Sequence, residues 1–199
     1  MPTTQASPTR KDAARNRARL LEAAQQLFTA GGLDITLKDV ARRAGVGVGT
    51  VYRHFPTKDE LISALFAEQL DREIERARAG AAEQDAWNGL VHYLEDTLRI
   101  QASNRGLRAL MCPAGSTNPT VRECKAVINP YVERMVEAAH EQGTLRADCT
   151  ALDIAYLQIA LVGIMDANPD SPELYRRHLA FFLDGVRTGP TREGSGTEA

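Results

Sequence analysis

The apolar positions of this chain recur at three- and four-residue spacing in one segment after another, and no segment alternates convincingly as a strand would. Leu20, Ala24, Leu27 and Phe28 form the inner stripe of a first helix, with Thr9 and Asp12 at capping-box spacing before it and Gly31-Gly32 after it. Val40, Ala41 and Ala44 mark a short second helix, opened by Thr36 with Asp39 three residues on. Gly45 is the residue able to turn left-handed and end it, and Val46 plugs the corner. A third helix runs from about Val48 to Phe55, with Val51 and Phe55 on one side and Thr50, Tyr52, Arg53 and His54 on the others.

Thr57 and Glu60 open a fourth helix whose apolar face is Leu61, Ile62, Leu65, Phe66, Leu70 and Ile74, ending near Arg78 before Gly80. A fifth spans about Ala86 to Ala102, and Arg105 to Cys112 is a short sixth. Pro113 to Thr117 is a loop, after which Asn118-Pro119 starts a seventh helix that Pro130 is predicted to kink or split and Gly143 to end. Thr150 with Asp153 caps an eighth running to about Asp166. Asn168-Pro169-Asp170 breaks the chain, and Ser171-Pro172 starts the last helix. The pattern predicts an all-α protein of about nine helices, the first three forming a helix-turn-helix domain.

The net charge of −2 is uninformative until it is located. Up to Glu60 the chain carries ten basic and six acidic residues, a surplus of +4, which leaves −6 for the rest. A basic front and an acidic rear suit a protein that meets phosphate with one end only. The short hairpin supplies that end. Small Ala41 permits a close helix crossing, while Lys38, Arg42, Arg43, Arg53 and Lys58 stay on the outside, an arrangement that an ordinary core hairpin does not need. Arg10, Lys11, Arg15 and Arg17 near the start of the first helix add general attraction to phosphate.

The run Thr36 to Leu61, with Ala44-Gly45-Val46, Thr50 to Phe55 and Lys58 to Leu61, resembles the TetR family of bacterial transcriptional regulators. The resemblance covers roughly the first third of the chain, and the order of the later helices fits it too. It implies an all-helical homodimer with an N-terminal DNA-binding domain and a C-terminal helical domain for ligand and dimer contacts. On that basis residues 1–9 are a disordered tail, 10–56 the helix-turn-helix domain, 57–187 the regulatory and dimerisation domain, and 188–199 a second disordered tail. Carried over by position, Thr36, Tyr52, His54 and Lys58 are phosphate contacts, and Val48, Gly49, Thr50 and Arg53 face bases. Many members have Ser where this chain has Gly47, which offers no side-chain oxygen as an N-cap.

The resemblance also implies a pocket for a small-molecule effector among helices four to eight. Trp87, Tyr93, Met111, Cys112, Tyr131 and Met135 are the adaptable aromatic and sulfur-bearing side chains there. His92 is a further polar group on the fifth helix. The partners expected are double-stranded DNA, a second copy of the chain and an effector; the function is a repressor released from its operator.

A ligand-independent architectural DNA-binding protein is the alternative, and an all-helical enzyme a more distant one. Gly45, Gly47 and Gly49 are only superficially like a dinucleotide loop: the spacing is not GxGxxG, and they join helix to helix. There is no GxxxxGK[ST] or HExxH motif and no nucleophile elbow. The four histidines form no metal-ligand cluster, so neither metal nor cofactor is expected. Three unpaired cysteines, a polar N-terminus and the absence of a long apolar run point to the cytoplasm and away from the membrane.

Overall fold

The computed structural model describes residues 10–31, 35–111 and 118–188. Among them are nine α-helices and one short 3-10 turn: α1 (Arg10–Gly31), α2 (Leu37–Ala44), α3 (Val48–His54), α4 (Lys58–Ala82), α5 (Ala86–Ser103), α6 (Arg105–Met111), α7 (Pro119–Glu141), α8 (Ala151–Ala167), the turn Pro172–Leu174 and α9 (Tyr175–Val186). No described helix is long and apolar enough to cross a membrane. Residues 1–9 and 189–199, the Thr9 cap, the Arg10 and Lys11 side chains, Cys112 and the 113–117 loop lie outside the described residues. Thr188, expected to begin the second tail, is instead held, its N–H donating to the Thr144 carbonyl at 3.0 Å and its hydroxyl to the Gly143 carbonyl.

Helix starts follow local chemistry closely. Thr36 and Asp39 form the reciprocal capping box at α2, and Thr150 and Asp153 do the same at α8. Thr57 caps α4 by accepting from the Glu60 N–H at 3.1 Å, and Asp85 caps α5. The Asn118 side chain accepts from the N–H groups of Thr120 and Val121, with Pro119 at the first helical position of α7. The last helix differs from the expected single element: Pro172–Leu174 is a 3-10 turn before α9 begins.

Two breaker residues do not break their helices. α4 runs past Arg78 and through Gly80 to Ala82. α7 is continuous across Pro130, which lies exposed while Ile128, Val132 and Met135 pack inward and hold both halves on one core. Gly80 has a packing reason to be glycine. A Cβ there would lie 2.8 Å from the Gly89 carbonyl oxygen, and a Cβ on Gly89 would collide with the Gly80 carbonyl oxygen. These two glycines set the crossing of α4 and α5.

The core is continuous. Leu20, Phe28, Val40, Val51 and Phe55 fill the three-helix head, and Phe28 meets Phe66 of α4 edge-on at 5.8 Å between centroids. α4, α5 and α7 then pack as a layer whose buried members include Leu70, Ala77, Leu90, Leu94 and Met135.

On the surface, His92 Nδ1 lies 2.8 Å from a Glu83 carboxylate oxygen, and that hydrogen bond holds the imidazole pKa above its usual 6.5. The stabilisation is fully present below the unfolded value of 6.5 and is lost as pH rises through the higher folded value. His92→Gln is therefore expected to lower the melting temperature more at pH 5.5 than at pH 8.5. The pair is exposed, so the loss stays below about 1 kcal/mol. Equal losses at the two pH values would dismiss the charged pair.

Candidate functional site

The hairpin that the charge pattern singled out is built and held from inside. Gly45 sits at φ +65°, and its N–H and that of Val46 close the turn onto the Arg42 and Ala41 carbonyls at 3.3 and 3.0 Å. Ala41 is buried on the inner face of α2, with Leu37, Val40 and Ala44. Arg19 of α1 donates to the Ala44 carbonyl at 3.0 Å, satisfying an orphan group at the end of α2. Arg43 forks onto the Gln26 side-chain oxygen at 2.6 and 2.8 Å, and Arg17 stacks 5.2 Å above the Phe55 ring centroid. These arginines brace the head, whereas in sequence they register only as charge.

What remains outward is the face of α3. Val48 is 37% exposed and Tyr52 47%, Gly49 and Arg53 are exposed, and Thr50 and His54 are half-buried. Arg53 Nε donates to the Gly49 carbonyl at 3.2 Å. A methyl group at Gly47 or Gly49 would meet open space, so intrachain packing does not demand glycine at either position. Gly47 gives α3 no side-chain cap. Lys38 is exposed on α2, and Lys58, half-buried, is the first residue of α4, directly after the Thr57 cap. The Thr36 hydroxyl donates to Asp39 Oδ2 at 2.6 Å, and with the Thr36 N–H and Arg42 this holds the Asp39 carboxyl below the usual carboxylate range. Thr36, Lys38, Val48, Gly49, Thr50, Tyr52, Arg53, His54 and Lys58 all belong to this hairpin and the first residue of the next helix. Arg15 is exposed on α1 beside it.

A second feature lies in the C-terminal half. A partly open cavity of about 380 Å³ lies between α5, α7 and α8, with Met111 contributed by the end of α6. Tyr93 and Met111 line it. Trp87, Tyr131 and Met135 do not. Trp87 is buried under the Arg187 guanidinium, Tyr131 bonds Arg78 and lies beneath Arg134, and Met135 packs near Gly80. Cys112 lies outside the described residues. His92 is occupied by Glu83, away from the lining.

The polar lining went unnoticed in sequence. Thr97, Gln101 and Gln158 face the cavity together with Tyr93, whose phenol is pushed up to about 12 by burial. The signal was present: Tyr93, Thr97 and Gln101 recur every four residues on α5, among Leu94 and Leu98, as uncharged polar groups on a buried face. Behind Thr97 sits Glu73, fully buried, accepting from the Thr97 hydroxyl at 3.1 Å and paired with Arg76 at 2.6 Å. Arg108, also buried, bridges the Gln101 backbone carbonyl and Asp166 of α8, both at 2.9 Å.

Head and cavity share two connectors. α6 carries Met111 in the cavity wall at one end. Toward its other end Gly106 lies against α1, where a Cβ would come within 3.1 Å of the Phe28 carbonyl oxygen. α7 lines the cavity with Ile128 and Val132, and its cap Asn118 donates to the Asp59 backbone and side-chain oxygens at 3.3 and 3.1 Å. Asp59 adjoins Lys58.

Comparison with known proteins agrees with this architecture. Residues 20–65 match the model described as bacterial regulatory proteins of the tetR family, and residues 85–188 match the C-terminal domain of SbtR-like transcriptional regulators. A TetR transcription regulatory protein from Mycobacterium vanbaalenii is 34% identical, over 90% of this chain and 99% of that one, with a TM-score of 0.53. The transcriptional regulator UidR of Escherichia coli K12 is 24% identical over 92% of each chain. The Bacillus subtilis regulator FadR, solved in complex with stearoyl-CoA, shares the fold with a TM-score of 0.63 at 17% identity, over 85% of this chain and 98% of that one. Those relatives are regulators of transcription and not enzymes. With both family models matched in order and an exposed helix-turn-helix at the front, the chain belongs to the TetR family and is a DNA-binding transcriptional regulator.

Proposed function

We propose that this regulator is a homodimeric repressor that leaves its operator when a small molecule fills the cavity between α5, α7 and α8. The observation that carries the reading is the pair of shared connectors: whatever displaces the cavity wall moves α6 against α1 and the start of α7 against Asp59 at the start of α4. Cores are close-packed and have few alternative arrangements, so a shift of this kind is taken up as movement of the helices. A ligand that binds the displaced arrangement better depletes the DNA-binding one.

Dimerisation is supported by exposed apolar surface on the last two long helices. Leu152 and Tyr156 of α8 are 59% and 60% exposed, and Phe181 of α9 is 58% exposed. Ala160 and Gly163 continue the exposed side of α8, and neither obstructs close approach of a second helix. A seven-residue recognition helix reads few base pairs alone. Two copies held about 34 Å apart read successive major grooves.

On the DNA, Thr50 and Arg53 supply the hydrogen-bonding base contacts, and Val48 and Gly49 give apolar contact and close approach. Thr36, Lys38, Tyr52, His54 and Lys58 hold phosphates. So small a base-reading set leaves part of the specificity to DNA shape. Lys58→Ala is expected to weaken binding about uniformly across sequences and to flatten the slope of log affinity against log salt by roughly one unit. An unchanged slope assigns Lys58 no phosphate.

The test starts from duplex DNA selected from a random library by the full chain. Two protomers per selected site and a consensus with two half-sites are expected. An Ala155→Phe variant, which places a ring into the cavity from α8, is then compared with wild type by fluorescence anisotropy on that site. A folded variant that has lost at least about tenfold in affinity supports the coupling. Unchanged affinity in a folded variant, or equally tight binding by a single protomer, overturns the reading. A library without consensus favours the architectural alternative.

A further inference from the structure

We infer that the molecule recognised in the cavity is uncharged, mostly apolar and small, and that it is held by a hydrogen-bonding group presented to the Gln101 carboxamide. The inference rests on the cavity being the effector site. Gln101 is only 3% exposed and lies on the cavity wall. Its backbone carbonyl accepts from Arg108, but its side-chain amide makes no hydrogen bond with any described residue. Neither amide atom is sealed off from the cavity space, so a group that enters can take the place of water on both. A ligand group that both accepts and donates matches the two amide atoms.

The neighbours on the same stripe fit the same kind of molecule. Tyr93 is buried, its phenol keeps its proton at neutral pH, and it is hydrogen-bonded to the Gln158 side chain, so the two form a neutral polar patch on the wall. The Thr97 hydroxyl spends its proton on Glu73, which leaves its lone pairs toward the cavity as acceptors. Ile128, Val132, Ile154 and Val162 make the remaining wall apolar.

Charge is disfavoured for a separate reason. Each of the two buried ionic groups behind this wall already has its partner: Glu73 is paired with Arg76, and Arg108 with Asp166. An ion brought in against Gln101 would lose hydration without finding a spare counterion among these buried groups. The ionisable side chains of the lining, half-buried Lys125 and exposed Glu133 on α7, are of opposite sign. The volume of about 380 Å³ corresponds to roughly a dozen waters of liquid, room for a one- or two-ring molecule.

Four one-ring probes of nearly equal size separate the possibilities: benzamide, benzoate, benzylammonium and toluene, titrated at pH 7 into the full chain and followed by NMR. Benzamide is expected to bind at least about tenfold tighter than either ion and to shift the side-chain NH2 signal of Gln101, the one missing from the Gln101→Leu spectrum. In Gln101→Leu, benzamide affinity is expected to fall at least about fivefold while toluene binding is kept or improved, which also shows the cavity intact. Gln101→Glu is the second variant, expected to turn the preference toward benzylammonium. If benzoate or benzylammonium binds wild type best, the inference is overturned and the effector reading of the cavity stands. If benzamide binds best but neither variant changes the order, Gln101 is not the recognition group and the inference fails. If none of the four binds, toluene included, the effector reading falls and takes the inference with it.

Discussion

Replacing Arg76 with methionine is expected to destabilise the protein by about 3–5 kcal/mol, the loss typical of a buried ion pair deprived of one member. Glu73 is fully buried, held by Arg76 at 2.6 Å and by the Thr97 hydroxyl at 3.1 Å. Methionine keeps much of the arginine stem's volume, so the change removes charge rather than packing. What remains is a carboxylate in the core that has lost its cation. For a chain of this size each kcal/mol moves the melting temperature by about 2–4 °C, so a drop of about 6–20 °C is expected. The double variant Glu73→Gln, Arg76→Met is the control. With the carboxylate gone, the missing guanidinium leaves no unpaired charge, and most of the loss should be recovered. The comparison by denaturant unfolding isolates the pair from the packing around it. A single variant that loses less than about 1 kcal/mol would show that water reaches Glu73.

Gly89→Ala is expected to cost about 3 kcal/mol or more, for a steric reason. The added methyl group would collide with the backbone carbonyl oxygen of Gly80 on α4, and a carbonyl within a helix cannot swing aside as the end of a side chain can. α4 and α5 would have to separate, and with them the Leu70, Leu90 and Leu94 contacts that fill the space between α4, α5 and α7. Gly80→Ala meets a milder obstacle. Its Cβ would stand 2.8 Å from the Gly89 oxygen and 2.9 Å from the Met135 sulfur, and the sulfur at least lies on a flexible side chain. The expected order of melting temperatures is wild type, then Gly80→Ala, then Gly89→Ala. Gly49→Ala is the internal control. A methyl group there meets nothing within 4 Å, so stability should change by no more than helix propensity allows, about 1 kcal/mol in the stabilising direction. Equal melting of Gly89→Ala and wild type would mean that the two helices cross less tightly than their glycines allow.

The chain's own order of residues determined every feature that depends on a few neighbours along it. Thr36-Asp39 and Thr150-Asp153 cap their helices, Gly45 turns left-handed, and Asn118-Pro119 starts α7, because each needs only backbone groups within four residues. Helical periodicity likewise located the head and its outward face; the family was legible separately, by the resemblance of the run Thr36 to Leu61. Gly80 read as a stop, and Pro130 read as a point of splitting, misled because the deciding contacts come from other helices. Gly80 lies within α4 because α5 crosses there, and Pro130 is tolerated in α7 because both sides of it are anchored in the core.

Only the tertiary structure decided which side chains face the cavity. Trp87, Tyr131 and Met135 suit a ligand site by chemical type, yet they pack or pair elsewhere, whereas Thr97, Gln101 and Gln158 line it. A cavity is the space left where three helices fail to meet, and its lining depends on the angle and depth of crossings between residues far apart in the chain. No local pattern encodes that geometry. The same reason hid the use of Arg17, Arg19 and Arg43 as braces of the head: their partners Phe55, Ala44 and Gln26 are brought to them by the fold, and in the linear chain they are only positive charge.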